Sequence, residues 1–173
     1  MQESDIDRTE ASWLEFQLAD DTAAETYDGI HEVLATFAHL PQGIVSLNVR
    51  SNIMRFLDQL DLAHHFDKVY GAECVEPGLQ KPHPYALLRC IEGLTGGKPG
   101  LVVYIGDHET DVECAHNANA HFEQAGTDLR VVSVGALYAP HIDDEHWQVE
   151  PDCKVDAPHE IVRELAQVFA AMP

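Results

Sequence analysis

The acidic residues Asp107 and Asp111 are four positions apart and follow the apolar run Leu101-Val-Val-Tyr-Ile105 and a glycine. Such a run predicts a strand buried in a parallel sheet, and ligands of these sheets bind beyond the carboxyl ends of the strands. If a helix begins directly after the strand, Asp111 lies about one turn further on and faces the same crevice. Two carboxylates on rigid elements suit Mg2+, which prefers oxygen ligands, keeps waters and bridges to substrate phosphate. The alternative is a helix-capping Asp107 followed by a solvated acid.

Two further segments carry polar groups that could hold a phosphate. Ser46, followed by Leu47 and Asn48, ends the first clear strand, where a hydroxyl and backbone N–H groups could bind a phosphoryl oxygen. Lys81 is followed by Pro82 and a second proline, which restrict the backbone around a single positive charge. The alternatives are a turn-forming serine and a solvated surface lysine, so neither segment is decisive by itself.

The elements that must position these residues alternate between helix and strand from Tyr27 onward. Apolar spacing and the possible N-caps Asp28 and Ser51 predict the helices, and short apolar runs predict the strands. Helices are predicted over 28–37, 51–60, 84–94, 110–122 and from 158, with Tyr85 and Phe169 facing inward, and strands over 44–47, 68–72, 101–105 and 129–134. Alternating elements favour right-handed crossovers and a parallel sheet. The predicted fold class is therefore α/β, a Rossmann-like parallel sheet flanked by helices.

Composition restricts the environment and the partners. The 173 residues are 45% hydrophobic, which fits one globular domain. No apolar run reaches the roughly 18 residues of a membrane span, and the polar first residues lack a signal-peptide pattern, so a cytoplasmic protein is expected. The net charge of -20 disfavours nucleic acid and anionic membranes. Four cysteines without Cys-x-x-Cys spacing favour free thiols over a zinc site.

Together and in this order, Ser46, Lys81, Asp107 and Asp111 resemble the motifs of the haloacid dehalogenase superfamily of phosphohydrolases. The segment Tyr104-Ile-Gly-Asp-His-Glu-Thr-Asp111 looks like the branch often called phosphoglycolate phosphatase-like. The resemblance implies hydrolysis of a phosphorylated small molecule through an aspartyl-phosphate, with Mg2+ as cofactor. It also implies residue roles. Ser46, Leu47 and Asn48 would bind phosphate, Lys81 would pair with phosphate and nucleophile, Asp107 would ligate Mg2+, and Asp111 would support the metal shell.

The first motif of the family is missing. The family begins with an apolar strand ending in Asp-x-Asp-Gly-Thr, whose first Asp is the nucleophile. The segment Asp5-Ile-Asp-Arg-Thr9 has similar spacing, but Met1 to Ser4 is polar and too short for a buried strand, and Arg8 replaces the glycine. Asp5 is therefore a candidate nucleophile in an unfavourable context. Residues 1–26 are interpreted as the remnant of a helical cap or an N-terminal arm, and residues 27–173 as the α/β core.

The missing strand would occupy the middle of the sheet, between the strands that end at Ser46 and Asp107. Four or five buried apolar side chains contribute about 6 to 15 kcal/mol, which is comparable with the stability of a whole domain. We expect a replacement, either direct pairing of the Ile44 and Val103 strands, insertion of the N-terminal segment, or a partner chain. Dimerisation or strand donation, and hence a homo-oligomer, is the resulting prediction.

Several functional interpretations remain open at this point. One is a phosphomonoester hydrolase that is impaired or silent because its nucleophile motif is absent. Another is a non-catalytic module that binds phosphate or a protein partner. A two-component receiver domain fits poorly, because its acidic pair comes early and its lysine late, the reverse of the order here. The eleven histidines lack metal-binding spacing such as His-Glu-x-x-His, and His108 alone, between the two carboxylates, is placed to contact substrate.

Overall fold

The structure, a computed structural model, describes residues 25–140 and 142–170. Its helices are α1 (Ile30–Thr36), α2 (Arg50–Gln59), α3 (Tyr85–Thr95), α4 (Glu109–Ala125) and α5 (Pro158–Ala170), and its strands are β1 (Gly43–Val45), β2 (Lys68–Tyr70), β3 (Gly100–Gly106), β4 (Leu129–Ala136) and β5 (Cys153–Val155). Short 3-10 turns at Ala63–His65 and Ala72–Cys74 flank β2. The alternation of helix and parallel strand confirms the predicted α/β, Rossmann-like fold.

The strands form two separate parallel sheets. One consists of β1 and β2, and the other has the order β3-β4-β5. The strands β1 and β3 do not pair, so the expected option of direct pairing between the Ile44 and Val103 strands is wrong. A cavity of about 470 Å3 lies between them instead, lined by β1, by Leu101–Ile105 of β3, and by side chains of α1, α3 and α5.

Three clusters of buried side chains attach the helices to the sheets. One joins α3 and α4 to β4 through Ile91, Cys114 and Val131. A second joins α1 and α5 to β4 and β5 through Val33, Val134 and Ile161, and a third lies beneath α2. The opposite faces of β4 thus carry different helices, which is the layered arrangement of a parallel α/β sheet. Within the described residues, no helix combines the length and apolarity needed to cross a bilayer.

Several local predictions need correction. The N-cap of α1 is Gly29 rather than Asp28, because the backbone there adopts φ +89°, which glycine tolerates without strain. Ser51 lies inside α2, whose N-cap is Val49. Tyr85 and Phe169 are exposed rather than inward, at 40% and 44%.

Two further differences concern the elements themselves. In α3 the face turned to the core begins one residue later than predicted, at Ala86 and Leu87. The strand β5 was not predicted, since Cys153-Lys-Val155 is too short to give a periodic signal. The proposed boundary between residues 26 and 27 stays a prediction, since most of the shorter segment lies outside the described residues.

Candidate active site

Lys81 and Asp111 form a direct ion pair between the Lys81 ammonium and Asp111 Oδ1. The two side chains are 11% and 8% exposed, so this pair is largely removed from water. Lys81 precedes α3, and Asp111 lies in the first turn of α4. Two of the four residues selected from the sequence, 30 positions apart, are therefore in contact. A buried charge needs such a partner, because an isolated one would lose its hydration without compensation.

Both carboxylate oxygens of Asp111 are occupied by protein groups. Besides Lys81, Oδ1 accepts a hydrogen bond from the Tyr104 hydroxyl at 3.1 Å, and Oδ2 accepts one from the backbone N–H of His108 at 3.2 Å. Gly106 makes this position possible, since a Cβ there would lie 2.4 Å from Cβ of Asp111. Asp111 is therefore fixed by its neighbours, and its geometry suits a supporting role.

Tyr104 connects this ion pair to the end of β1. Its hydroxyl lies 3.5 Å from the carbonyl oxygen of Val45, the residue before Ser46. Burial, followed by the charge of Asp111, raises the pKa of Tyr104 well above its ordinary value, so the phenol stays protonated and can donate. The hydroxyl of one side chain thus brings the ends of β1 and β3 to the same edge, with Lys81 beside them.

The segment after β1 is a turn held by its own side chains. Ser46 donates its N–H to Tyr70 at 3.0 Å, and its Oγ accepts the N–H of Asn48 at 3.1 Å. Asn48 Oδ1 accepts the N–H of Val49 at 2.8 Å, and the Asn48 carbonyl accepts that of Ala72 at 3.0 Å. Within the described residues, the Ser46 hydroxyl accepts the bond from the Asn48 N–H and donates none. Asn48 stabilises the turn. The expected contacts of Asn48 and of the exposed Leu47 with phosphate stay predictions.

Asp107 lies just after β3 and is exposed, unlike Asp111. Burial, followed by the charges of Tyr27 and Asp107, raises the pKa of Tyr138. The Tyr138 ring therefore lies near this edge. The rings of Tyr27 and Tyr138 pack edge to face with centroids 5.0 Å apart. His108, expected to be able to contact substrate, caps α4, where its Nδ1 accepts the N–H of Thr110 at 3.2 Å. Asp107 is thus the carboxylate of this pair that faces solvent.

The donors at this edge fit a magnesium ion only as part of a larger set. Mg2+ uses one or two carboxylates together with waters and substrate phosphate. Asp107 offers a solvent-facing carboxylate, whereas both oxygens of Asp111 already accept protein hydrogen bonds. Within residues 25–140 and 142–170 there is no cluster of three or more His, Cys, Asp or Glu side chains suited to a metal. Asp107 could therefore hold the ion directly, with Asp111 in support and water or substrate completing the shell.

The sequence indicated some site residues and missed others. Asp5, the candidate nucleophile, lies outside the described residues. Tyr104 and Gly106 were not identified as site residues, although a tyrosine at the end of an aliphatic run was a detectable signal for a buried hydroxyl. The close approach of Gly106 to Asp111 left no comparable signal, because a glycine before a strand-end acid is equally common in ordinary turns.

Comparison with known proteins identifies the family of this chain. The family described as haloacid dehalogenase-like hydrolase matches residues 3–125, which is more than half of the chain. The chain therefore belongs to the haloacid dehalogenase-like hydrolase family. The match includes Ser46, Lys81, Asp107 and Asp111, and their order within it is the one on which the resemblance rested.

Curated relatives and solved structures place the chain more closely. It is 33% identical over 79 residues to the phosphoglycolate phosphatase of Escherichia coli, covering 46% of this chain and 30% of that protein. It is 26% identical over 142 residues to that of Salmonella typhimurium, covering 82% of this chain and 49% of the relative. The chain thus spans at most about half the length of these relatives.

Solved structures share the fold at lower identity. The chain superposes on a predicted phosphoglycolate phosphatase from Haemophilus somnus with a TM-score of 0.65 and 20% identity, over 95% of this chain and 68% of the other. A haloacid dehalogenase-like protein of unknown function from Agrobacterium tumefaciens gives a TM-score of 0.69 and 16% identity, over 98% and 71%. These two structures show that the chain shares their fold.

Proposed function

We propose that this chain is the phosphate- and magnesium-binding core of a phosphomonoester hydrolase. The observation that carries the proposal is the hydrogen-bonded connection from Lys81 through Asp111 and Tyr104 to the residue before Ser46. This connection joins the Lys81 ammonium to the end of β1, where Ser46 follows. It also joins that ammonium to the segment after β3, where Asp107 lies. A phosphate ester needs this combination, because positive charge and hydrogen-bond donors must face its oxygens.

Each residue has a separate part in binding. The Ser46 hydroxyl and the N–H of Leu47 donate to phosphoryl oxygens, with Asn48 shaping the turn. Lys81 neutralises part of the phosphate charge, while Asp111 holds its ammonium in place. Asp107 provides the carboxylate for Mg2+, which when bound would offset the negative charge of the phosphate. This neutralisation is important in a chain with a net charge of -20, whose field otherwise repels anions.

Within the described residues, Asp111 is poorly placed to act as the nucleophile of this chemistry. Covalent phosphoryl transfer requires a carboxylate aimed at phosphorus, and Asp111 cannot act as one while both its oxygens are engaged. The first family motif is absent, and Asp5 has an unfavourable sequence context. We therefore propose that binding persists while turnover by the isolated chain is impaired or absent. The substrate class is a phosphorylated small molecule, and phosphoglycolate is the first to test because the curated relatives are named for it.

Titration calorimetry of the full chain with inorganic phosphate, with and without Mg2+, tests the binding proposal. We expect phosphate affinity to increase with Mg2+ and to fall at least about tenfold in Asp107→Asn. Asp58→Asn is the matched control, since Asp58 is an exposed acid near the end of α2 and away from this edge. Equal affinities in Asp107→Asn and in the parent protein would contradict the proposal.

Phosphate release from p-nitrophenyl phosphate and phosphoglycolate tests the proposed lack of turnover. We expect no release above that of the Asp107→Asn variant. Release that Asp5→Asn abolishes would identify Asp5 as the nucleophile and make the chain an active hydrolase. Release that survives Asp5→Asn but not Asp107→Asn would indicate another nucleophile.

A non-catalytic protein-binding role is the second candidate, and a specific observation favours it. The cavity between β1 and β3 is lined mainly by apolar groups and lies beside the phosphate-binding edge rather than within it. Its chemistry suits a polypeptide rather than a phosphate ester.

A further inference from the structure

One oxygen of the Asp111 carboxylate receives two side-chain donors. Oδ1 accepts the Lys81 ammonium and also the Tyr104 hydroxyl, the latter at 3.1 Å, while Oδ2 accepts the backbone N–H of His108. A carboxylate oxygen has two lone pairs, so both acceptor positions of Oδ1 are filled. An ammonium has three N–H groups, and within the described residues that of Lys81 has a single acceptor, Asp111 Oδ1. The remaining N–H groups of Lys81 are therefore left for a ligand.

Tyr104 reaches Asp111 because of its place in β3. Residues two positions apart on a strand lie on the same face, so Tyr104 and Gly106 share a face. At Gly106 the missing side chain leaves room for Asp111, since a Cβ there would lie 2.4 Å from Cβ of that residue. At Tyr104 the long side chain brings a hydroxyl to the same carboxylate. One face of β3 thus provides both the space for Asp111 and a donor to it.

The Tyr104 hydroxyl acts as a neutral donor. Burial, followed by the charge of Asp111, raises the pKa of Tyr104, so the phenol keeps its proton. That proton has two acceptors within reach, Asp111 Oδ1 at 3.1 Å and the Val45 carbonyl at 3.5 Å. The nearer acceptor is also the charged one, and it holds the proton more strongly. The phenol therefore stabilises negative charge on the oxygen that also binds Lys81.

This shared oxygen determines how firmly Lys81 is held. With the phenol donating to Oδ1, part of the carboxylate charge is already compensated, and the ammonium is bound less tightly. Without the phenol, Lys81 would be the single side-chain donor to Asp111 among the described residues, and a phosphate would compete against a stronger ion pair. Such competition matters here, because a net charge of -20 gives an anion no general attraction to the protein.

We infer that Tyr104 is a positioning residue for phosphate binding, whose hydroxyl holds the Asp111 carboxylate so that the Lys81 ammonium presents its remaining N–H groups to the phosphate. The inference rests on the proposed function and adds to it a residue that acts through two others. Tyr104 does not itself donate to phosphate, because its one proton is held by Asp111. Removing the phenolic oxygen should therefore weaken phosphate binding without removing any group that touches the ligand.

Calorimetric titration of Tyr104→Phe with inorganic phosphate, in the full chain, tests this inference. Phenylalanine keeps the ring and removes only the hydroxyl. We expect phosphate affinity to fall about tenfold, as for the loss of a hydrogen bond to a charged group. The factor should be the same with and without Mg2+, because Tyr104 acts through Lys81 rather than through Asp107. The control is Tyr85→Phe, which removes an exposed hydroxyl without a hydrogen bond in the described part of the chain and should leave the affinity unchanged.

Lysine NMR supplies a readout that a purely structural role of Tyr104 would not change. The lysines of the chain are Lys68, Lys81, Lys98 and Lys154, so lysine-selective 13C labelling gives a small set of side-chain signals. Without phosphate, Tyr104→Phe should shift the Lys81 signal, because the shared acceptor has lost its other side-chain donor. At saturating phosphate, the Lys81 signal should move in the parent protein and by at most about half as much in the variant. Lys68, which packs against Gly93 of α3, reports whether the fold is retained.

A second measurement needs no variant. With 13C at the hydroxyl-bearing ring carbon of tyrosine, the Tyr104 signal reports the hydrogen bond to Asp111. We expect this signal to move as phosphate is added and to follow the same titration curve as the Lys81 signal, because the two residues share one acceptor. The Tyr85 signal should stay in place. A Tyr104 signal that does not move while the Lys81 signal does would contradict the inference, even if Tyr104→Phe does not fold.

Three further results would overturn the inference. The first is the phosphate affinity of the parent protein retained in Tyr104→Phe. The second is an unchanged Lys81 signal in this variant while the Lys68 signal shows an intact fold. The third is a loss of affinity seen only with Mg2+, which would mean that Tyr104 acts through Asp107. A parent protein that binds no phosphate would instead contradict the proposed function itself, so the two failures are distinguishable.

Discussion

The outer edges of β4 and β3 differ in their hydrogen bonding, although both strands belong to one sheet and both are apolar. Beyond the short β5, the edge of β4 is completed by side chains. Asn119 donates to the Val131 carbonyl and accepts its N–H, both at 2.8 Å, and Asp152 accepts the N–H of Ser133 at 2.8 Å. Within the described residues, the outer edge of β3 receives no such cover. Side chains of the described residues therefore complete the outer edge of β4 and do not complete that of β3.

Burial follows the same division. Every residue from Val131 to Ala136 is buried, whereas none of the residues of β3 is. The sequence of β3 is apolar on both faces, like that of β4, which is typical of an inner strand. Its surroundings, however, are those of an edge strand. This difference in burial between β3 and β4 shows that the lower burial is confined to the region around the cavity. Within residues 25–140 and 142–170, β4 has a strand on each side, whereas β3 has a strand on one side only.

The largest effect should come from the buried ion pair between Lys81 and Asp111. Asp111→Ala leaves the Lys81 ammonium buried without its partner, so we expect the free energy of unfolding to fall by about 3 to 5 kcal/mol. Urea denaturation followed by circular dichroism measures this loss. The control is Glu92→Ala, which removes an exposed pair with Arg89 and should cost at most about 1 kcal/mol. Similar losses in the two variants would show that the Lys81 site is not closed to water.

A second test compares two glycines that are register partners across β3 and β4. A Cβ at Gly106 would lie 2.4 Å from Cβ of Asp111, whereas one at Gly135 would lie 3.1 Å from the nearest atom, in Pro151. Gly106→Ala must displace Asp111 from Lys81, and we expect a loss of about 1 to 3 kcal/mol, as for other overpacked sites. Gly135→Ala should cost less, since the Pro151 ring can shift slightly. The reverse order would contradict the tight seat inferred for Asp111.

The sequence predicted the parts of the fold that depend on local pattern. Long periodic helices and the strands around 101–105 and 129–134 were recognised because apolar spacing records which face is buried. Helix starts were less predictable. The start of α1 depends on the left-handed backbone of Gly29, which a search for Asp or Ser caps does not detect. The strand β5 depends on its pairing with β4 over three residues, and this pairing has no local signal.

The site was predictable as a set of residues but not as a network. Lys81 and Asp111 were selected by motif, and their contact follows from the topology that the motif implies. Tyr104 was missed as a partner because its role depends on a hydroxyl reaching both Asp111 and the far side of a cavity, from β3 to β1. The family resemblance led us to expect that a strand between β1 and β3 was missing. Among the described residues no strand lies there, and the sequence could not show this, since direct pairing of β1 and β3 was also compatible with the pattern.

A third test compares the stability contributions of two valines that are register partners on β3 and β4. Val132 of β4 is 3% exposed, and its partner Val103 on β3 is only partly buried. We expect Val132→Ala to cost about 2 kcal/mol and Val103→Ala about 1 kcal/mol or less, in proportion to the apolar area each removes. Thermal or urea unfolding of the two variants gives this comparison. Equal costs in the two variants would mean that the cavity beside β3 does not reduce the contribution of Val103 to stability.

The smallest expected effect is the pH dependence of two buried thiols, Cys90 of α3 and Cys114 of α4. Burial raises the pKa of Cys114, packed behind the ion pair, to about 12 and that of Cys90, which lines the cavity, to about 11, from 9.0 for an exposed thiol. The unfolded chain therefore loses these protons at lower pH than the folded chain, and stability decreases as pH rises through 9. At pH 9 the loss is about 0.4 kcal/mol per thiol, and urea unfolding of the parent against Cys90→Ala and Cys114→Ala isolates it. A stability loss at pH 9 that is the same in the parent protein and in both variants would mean that burial does not raise the pKa of these thiols.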